Sequence, residues 1–117
     1  MIVRRLLILT ILCAFFCSNA IADDWELIGS QGMNQFVLVN KSKRESKSVY
    51  DDAISRLCAD KKHCFIHFWS ERRLTPSQLA MSDAQVNAKV ASYNRNIVTG
   101  LDRIFWNCRI HSTSLSS

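Results

Sequence analysis

Apolar positions are spread unevenly along the chain, and the densest run comes first. Arg4 and Arg5 precede an uncharged apolar stretch from Leu6 to Phe16, and Ala20-Ile21-Ala22 supplies the small-x-small pattern that signal peptidase reads. Residues Met1 to Ala22 are therefore predicted to be a cleaved secretory signal, with the working protein starting near Asp23. The uncharged stretch ends there, short of the roughly 20 apolar residues that span a bilayer comfortably. Cys13 follows Leu12 and Cys17 follows Phe16, so neither has the small preceding residue of a lipid-attachment cysteine.

Beyond Ala22 the pattern breaks into short segments. Trp25 to Ile28 and Phe36 to Val39 read as two strands of a hairpin, because Gly29, Gly32 and Asn34 are turn formers between β-rich runs. Lys41 to Ser48 is polar and charged, a solvated loop. Ser48 is placed as an N-cap for a helix from Val49 to Cys58, in which Val49, Ala53, Ile54 and Leu57 recur at helical spacing. The aromatic and β-branched run Cys64 to Trp69 is too short for a helix and reads as a buried central strand. Thr75-Pro76 interrupts the chain. Ser82 and Gln85 form a capping box, and Val86, Val90 and Tyr93 line one face of a second helix that ends between Asn94 and Gly100. Ile104 to Ile110 closes the domain as a strand, and Ser112 to Ser117 is expected to be a disordered tail.

The predicted order is strand, strand, helix, strand, helix, strand. Right-handed crossovers would lay both helices on one face, giving an α+β fold: a two-layer sandwich with a four-stranded mixed sheet. Removal of the signal leaves 95 of 117 residues, one small domain spanning residues 23 to 111. A chain of that size buries only about two thirds of its unfolded surface, so a covalent staple would add useful stability. Arg4 and Arg5 leave with the signal and the formal charge falls from +5 to +3, mildly basic. Nothing after Ala22 is apolar for long enough to span a membrane.

Cys58, Cys64-Phe65, Phe68-Trp69, Pro76, Met81-Ser82-Asp83-Ala84-Gln85, Tyr93-Asn94, Gly100 and Trp106-Asn107-Cys108 together resemble a group of small exported Gram-negative bacterial proteins with no known activity. The resemblance covers roughly Tyr50 to Cys108. It implies a single exported domain and a Gram-negative origin, and it carries over no ligand and no catalytic residue.

Three cysteines remain after processing. The turn between Cys58 and Cys64 can bring their Cα atoms within the roughly 7 Å that a bridge requires, so a Cys58–Cys64 disulfide is expected in an oxidising compartment. A Cys64–Cys108 bridge across neighbouring strands is the rival. Cys108, left over, is expected on the buried face of the last strand beside Ile104, Trp106 and Ile110. The alternative is a thiol nucleophile with a base drawn from His63, His67 or His111. His63, Cys64 and His67 do not make a metal site, since strand alternation turns Cys64 away from the two histidines; no metal or cofactor is expected.

Two surfaces remain as binding candidates. Phe65, His67 and Trp69 share one side of the central strand and would form an apolar patch if that face is open. Lys41, Lys43, Arg44, Lys47, Arg72 and Arg73 fall in predicted loops, and if those loops meet at one end of the sheet they would contact an anionic sugar, lipid headgroup or cell-wall phosphate. The function expected is thus a periplasmic or secreted, disulfide-stabilised domain that binds a protein or envelope component rather than nucleic acid. A thiol enzyme using Cys108 and an envelope-polyanion binder are the alternatives. The intact mass of the exported protein is expected to begin at Asp23; a mass that retains Met1 would exclude cleavage.

Overall fold

The computed structural model describes residues 24 to 109, so the predicted signal peptide, His111 and the predicted C-terminal tail lie outside the described residues. The first two strands, β1 (Trp25–Gln31) and β2 (Asn34–Val39), form the expected antiparallel hairpin, longer than the sequence pattern suggested. Its turn is only Gly32-Met33. Gly32 has φ 60°, while Met33 has no positive φ, the pattern of a two-residue II′ connection. A register shift between Leu27 and Gly29 interrupts the ladder.

Helix α1 (Lys47–Leu57) follows a single 3-10 turn at Lys41–Lys43. Its N-cap is Ser46 rather than Ser48, because the helix begins two residues earlier than the apolar spacing indicates. Val49, Tyr50 and Ala53 are its buried residues. The chain then returns through the Cys58–Cys64 disulfide, with Cα atoms 5.7 Å apart, into β3 (His63–Trp69). This is the third strand of five, parallel to β2. After β3 come a 3-10 turn at Arg72–Leu74, the buried Pro76 and a short helix α2 (Asp83–Ala88), whose Ser82 and Gln85 make both bonds of the predicted capping box. Strands β4 (Ala91–Asn96) and β5 (Leu101–Trp106) then pair antiparallel, joined by a turn that ends at Gly100 with φ 76°. The sheet order is β1-β2-β3-β4-β5.

One core lies between α1 and the sheet. Val37 and Val39 from β2, Cys64, Ile66 and Phe68 from β3, and Ala91 and Tyr93 from β4 meet Val49, Tyr50 and Ala53. Tyr50 sits edge-on to Phe68, ring centroids 5.0 Å apart, and to Trp106, 4.9 Å apart. Edge-to-face pairs of this kind add about 0.5–1.5 kcal/mol each beyond the area buried.

The fold is α+β with a mixed sheet and two helices, as expected, but the sheet has five strands rather than four. The extra one is β4, in a region predicted to be the end of a long helix. Val86, Val90 and Tyr93 fit a helical face, yet Ala91 and Tyr93 also fit a strand of period two, and pairing with β3 on one side and β5 on the other decides for the strand. The two helices do not share one face either. Trp69 points away from α1, because neighbouring Phe68 points toward it, and its indole Nε1 donates to the Gln85 carbonyl of α2 at 2.8 Å. β3 and β4 are antiparallel neighbours, so the segment joining them is free of the crossover rule and folds over the second face.

Cys108 also differs from expectation. β5 ends at Trp106, and the Asn107 side chain accepts the Arg109 N–H at 3.0 Å, turning the chain so that Cys108 is exposed. The covering segment packs closely on β1: a Cβ built on Gly29 would lie 2.2 Å from the Ser77 carbonyl oxygen. Gly29→Ala is therefore expected to destabilise the protein by about 1–3 kcal/mol in chemical denaturation, the cost of overpacking. An unchanged midpoint would show that the segment stands clear of β1.

Candidate functional site

The parallel pair β2 and β3 ends on the same side of the sheet, and the loops that leave those two ends carry most of the predicted cationic residues. Open sheets with parallel strands place ligands beyond such carboxyl ends. After β2, Asn40 caps the 3-10 turn by accepting from the Ser42 N–H at 3.1 Å, and its own N–H donates to the Asp24 carbonyl at 2.8 Å. This fixes Lys41 at the strand end. Tyr50, from inside α1, donates its hydroxyl to the Arg44 carbonyl and anchors the rest of that loop. After β3, the Glu71 carbonyl accepts from the Thr75 hydroxyl at 2.7 Å and holds the Arg72–Leu74 turn.

Lys41 Nζ lies 3.1 Å from Glu71 Oε1, and Arg72 reaches Glu26 of β1 at 2.5 Å. A hydrogen bond from Lys41 and its charge hold the Glu71 carboxyl below its ordinary range, and the charges of Arg73 and Arg44 act in the same direction. Both ion pairs are exposed, so each contributes little to stability, about 0–1 kcal/mol. Lys43, in the 3-10 turn, and Lys47, which begins α1 instead of falling in the expected loop, are exposed and have no carboxylate partner among the described residues. Between the two loops and β1 opens a cleft of about 280 Å³. Trp25, Leu38 and Val39 give it apolar walls, and Asp24, Glu26, Asn40, Lys41, Ser70 and Arg72 supply its polar groups.

The Phe65, His67 and Trp69 strip is not the open patch that the strand pattern allowed. Trp69 is inaccessible, His67 is 3% exposed and Phe65 is half-buried. The physical reason is the covering segment between β3 and β4. His67 stacks on Phe36, with ring centroids 5.5 Å apart, and its two nitrogens are both engaged. Lys89 Nζ is 2.8 Å from Nδ1 and Asn34 Oδ1 is 3.1 Å from Nε2. Lys89 donates, so Nδ1 accepts and the imidazole proton resides on Nε2, donating to Asn34.

Of the candidate bases, neither His63 nor His67 is arranged to activate Cys108, and His111 lies outside the described residues. His67 is committed to Lys89 and Asn34. His63 pairs with Asn96 at one end of β4, whereas Cys108 follows Trp106, which pairs with Ala91 at the other end. Cys64 is bonded to Cys58 and so is closed to metal or thiol chemistry. At the far end of the sheet, a cleft of about 390 Å³ is lined by Lys61, Lys62 and Arg95, but Asp60 and Asp102 face it too. There Arg95 donates to the Cys58 carbonyl at 2.8 Å, at the end of α1 where the helix dipole is negative. Arg95 is thereby engaged, whereas the cleft at Lys41 and Arg72 adds an aromatic wall, Trp25, and the buried Ser70, which makes that end the stronger candidate.

Sequence reasoning named the cations but missed Trp25, Asn40, Ser70 and the partners Glu26 and Glu71. A lone Ser or Asn carries no local signal of this kind; only the adjacency of β2 and β3 brings them to one cleft. No protein family, curated protein or solved structure compared with the chain matches it, and the site is read from its own geometry.

Burial, reinforced by the charge of Lys89, pushes the His67 pKa from 6.5 down to about 4. The unfolded chain therefore takes up a proton near its ordinary value while the folded protein resists it until about 4. Between those values the unfolded state holds more protons, so stability falls as pH drops through this window and loses nothing further from this group below it. The expected loss is on the order of 2–3 kcal/mol. Denaturant midpoints at pH 7 and pH 4.5 should differ by less in His67→Gln than in the unmodified protein; equal differences would exclude His67 as the source.

Proposed function

We propose that the protein is an exported, disulfide-stabilised binding domain whose ligand is an anionic component of the cell envelope, held at the carboxyl ends of β2 and β3. The observation that carries this reading is the meeting of two cationic loops, where Lys41 contacts Glu71 at 3.1 Å and Arg72 contacts Glu26 at 2.5 Å, with the charges of Arg73 and Arg44 also felt at Glu71. Cations gathered from two loops raise the local concentration of an anion, and the exposed glutamates that now partner them exchange at small cost. The reading assigns no catalytic residue.

A protein partner is the second reading, favoured by β5. This strand is a sheet edge, Phe105 is 47% exposed and Leu101 36%, and the Arg103 guanidinium lies 5.1 Å from the Phe105 ring centroid. An edge strand with unpaired backbone groups and exposed apolar side chains is a template for another strand.

Co-sedimentation with polygalacturonate and with phosphatidylglycerol vesicles separates the two. Binding to at least one is expected to weaken about tenfold between low and physiological salt, as screening shortens the range of exposed charges. The Arg72→Gln, Arg73→Gln double variant should bind more weakly still, and Phe105→Ala should leave binding unchanged. Binding that ignores salt and disappears in Phe105→Ala would transfer the function to the β5 edge.

A further inference from the structure

The cleft between β2, β3 and β1 holds groups that a purely electrostatic site would not need. Ser70, the first residue after β3, is 8% exposed and lines the cleft, and its hydroxyl has no hydrogen-bond partner among the described residues. Buried hydroxyls in folded proteins are nearly always paired, because an unmade bond carries the full cost of desolvation. A ligand oxygen is the natural partner. Asn40 has its Oδ1 taken by Ser42, from the backbone N–H at 3.1 Å and the hydroxyl at 2.9 Å, which leaves its amide NH₂ as a donor at the cleft. Trp25 forms an aromatic wall, and its indole Nε1 donates to Asp52 Oδ2 at 2.9 Å, so the ring is fixed in place. Lys41 and Arg72 stand at the rim.

A bare phosphate or carboxylate would use the two cations alone. An aromatic wall, a buried hydroxyl, an amide donor and the Asp24 carboxylate instead match a ring with an apolar face and several hydroxyls that both donate and accept. We infer that the cleft binds one acidic sugar unit: a polyhydroxylated ring whose carboxylate exchanges for Glu26 or Glu71 on Arg72 or Lys41, while a ring oxygen meets the Ser70 hydroxyl. This rests on the anion-binding reading above and narrows it to one ligand class. The unit is either a free sugar or a residue of a polymer, and the cleft chemistry is the same for both.

The test is an NMR titration of the purified protein with galacturonate, with galactose and acetate as controls, and with polygalacturonate and phosphatidylglycerol vesicles as the larger probes. Galacturonate is expected to move the Trp25 indole resonance and the Asn40, Lys41 and Ser70 amides saturably, with affinity at least about tenfold above that for galactose or acetate. Ser70→Ala should lower galacturonate affinity about fivefold, the effect of one hydrogen bond, and leave acetate unchanged. Should that variant fail to fold, the comparison of galacturonate with acetate in the unmodified protein still decides the matter. Tighter polygalacturonate than galacturonate binding, with the same resonances moving, would identify a polymer as the source. Equal responses to acetate and galacturonate would overturn the inference. So would vesicle or polymer binding with no response to galacturonate, although anion binding itself would then stand. Absence of binding to galacturonate, polygalacturonate and vesicles alike would remove both readings.

Discussion

Parallel pairing of β2 with β3 is the constraint from which the rest of the architecture follows. Parallel neighbours cannot be joined by a tight turn, so the chain leaves β2 at Val39, crosses one face and re-enters at His63. α1 is that crossing, and its Val49, Tyr50 and Ala53 bury the apolar row of the strands beneath. The Cys58–Cys64 bridge closes the return at the point where helix becomes strand. A consequence for function is that two loops, 40–46 and 70–75, emerge side by side, which is why residues far apart in sequence form ion pairs such as Lys41 with Glu71.

β3 is covered on both sides. Cys64, Ile66 and Phe68 meet α1, while His67 and Trp69 meet the segment that carries α2 and Lys89. A strand buried on both faces is composed mostly of apolar residues, and its one buried histidine, His67, is tolerated because Lys89 and Asn34 satisfy both of its nitrogens. The arrangement also removes the middle of the second face as a route for ligands. What remains accessible is the two edge strands, β1 and β5, and the two ends of the sheet, and of the two end clefts the one at Lys41 and Arg72 carries a buried hydroxyl that lacks a partner among the described residues.

The ion pairs at that end are weak because they are exposed, and this suits binding better than a buried arrangement would. A buried pair broken by a ligand would leave an uncompensated charge, whereas the carboxylates of Glu26 and Glu71 return to water when an external anion takes their place. The loops themselves are held by bonds that do not involve the cationic side chains: Asn40 to Ser42, Tyr50 to the Arg44 carbonyl, and Thr75 to the Glu71 carbonyl. Exchange of partners at the rim therefore leaves the scaffold intact.

Local pattern alone determined the hairpin, α1, β3 and the capping box at Ser82 and Gln85, and it favoured the Cys58–Cys64 pairing over its Cys64–Cys108 rival. Each depends on residues within a few positions of one another: a turn glycine between β-rich runs, an apolar repeat at helical spacing, or two cysteines six residues apart. Tertiary structure decided what such patterns leave ambiguous. Ala91 to Asn96 became a strand because β3 and β5 both had ladder groups to pair with it, overriding a spacing equally compatible with a helix. Phe65, His67 and Trp69 share a face by alternation, but their accessibility depended on where the segment between β3 and β4 came to rest. Cys108 was exposed by a turn at Asn107 rather than buried by continuing the strand. The candidate site is tertiary in the same sense: sequence names its cations, while the juxtaposition of Trp25, Asn40, Ser70 and Arg72 exists only because two parallel strands must end together.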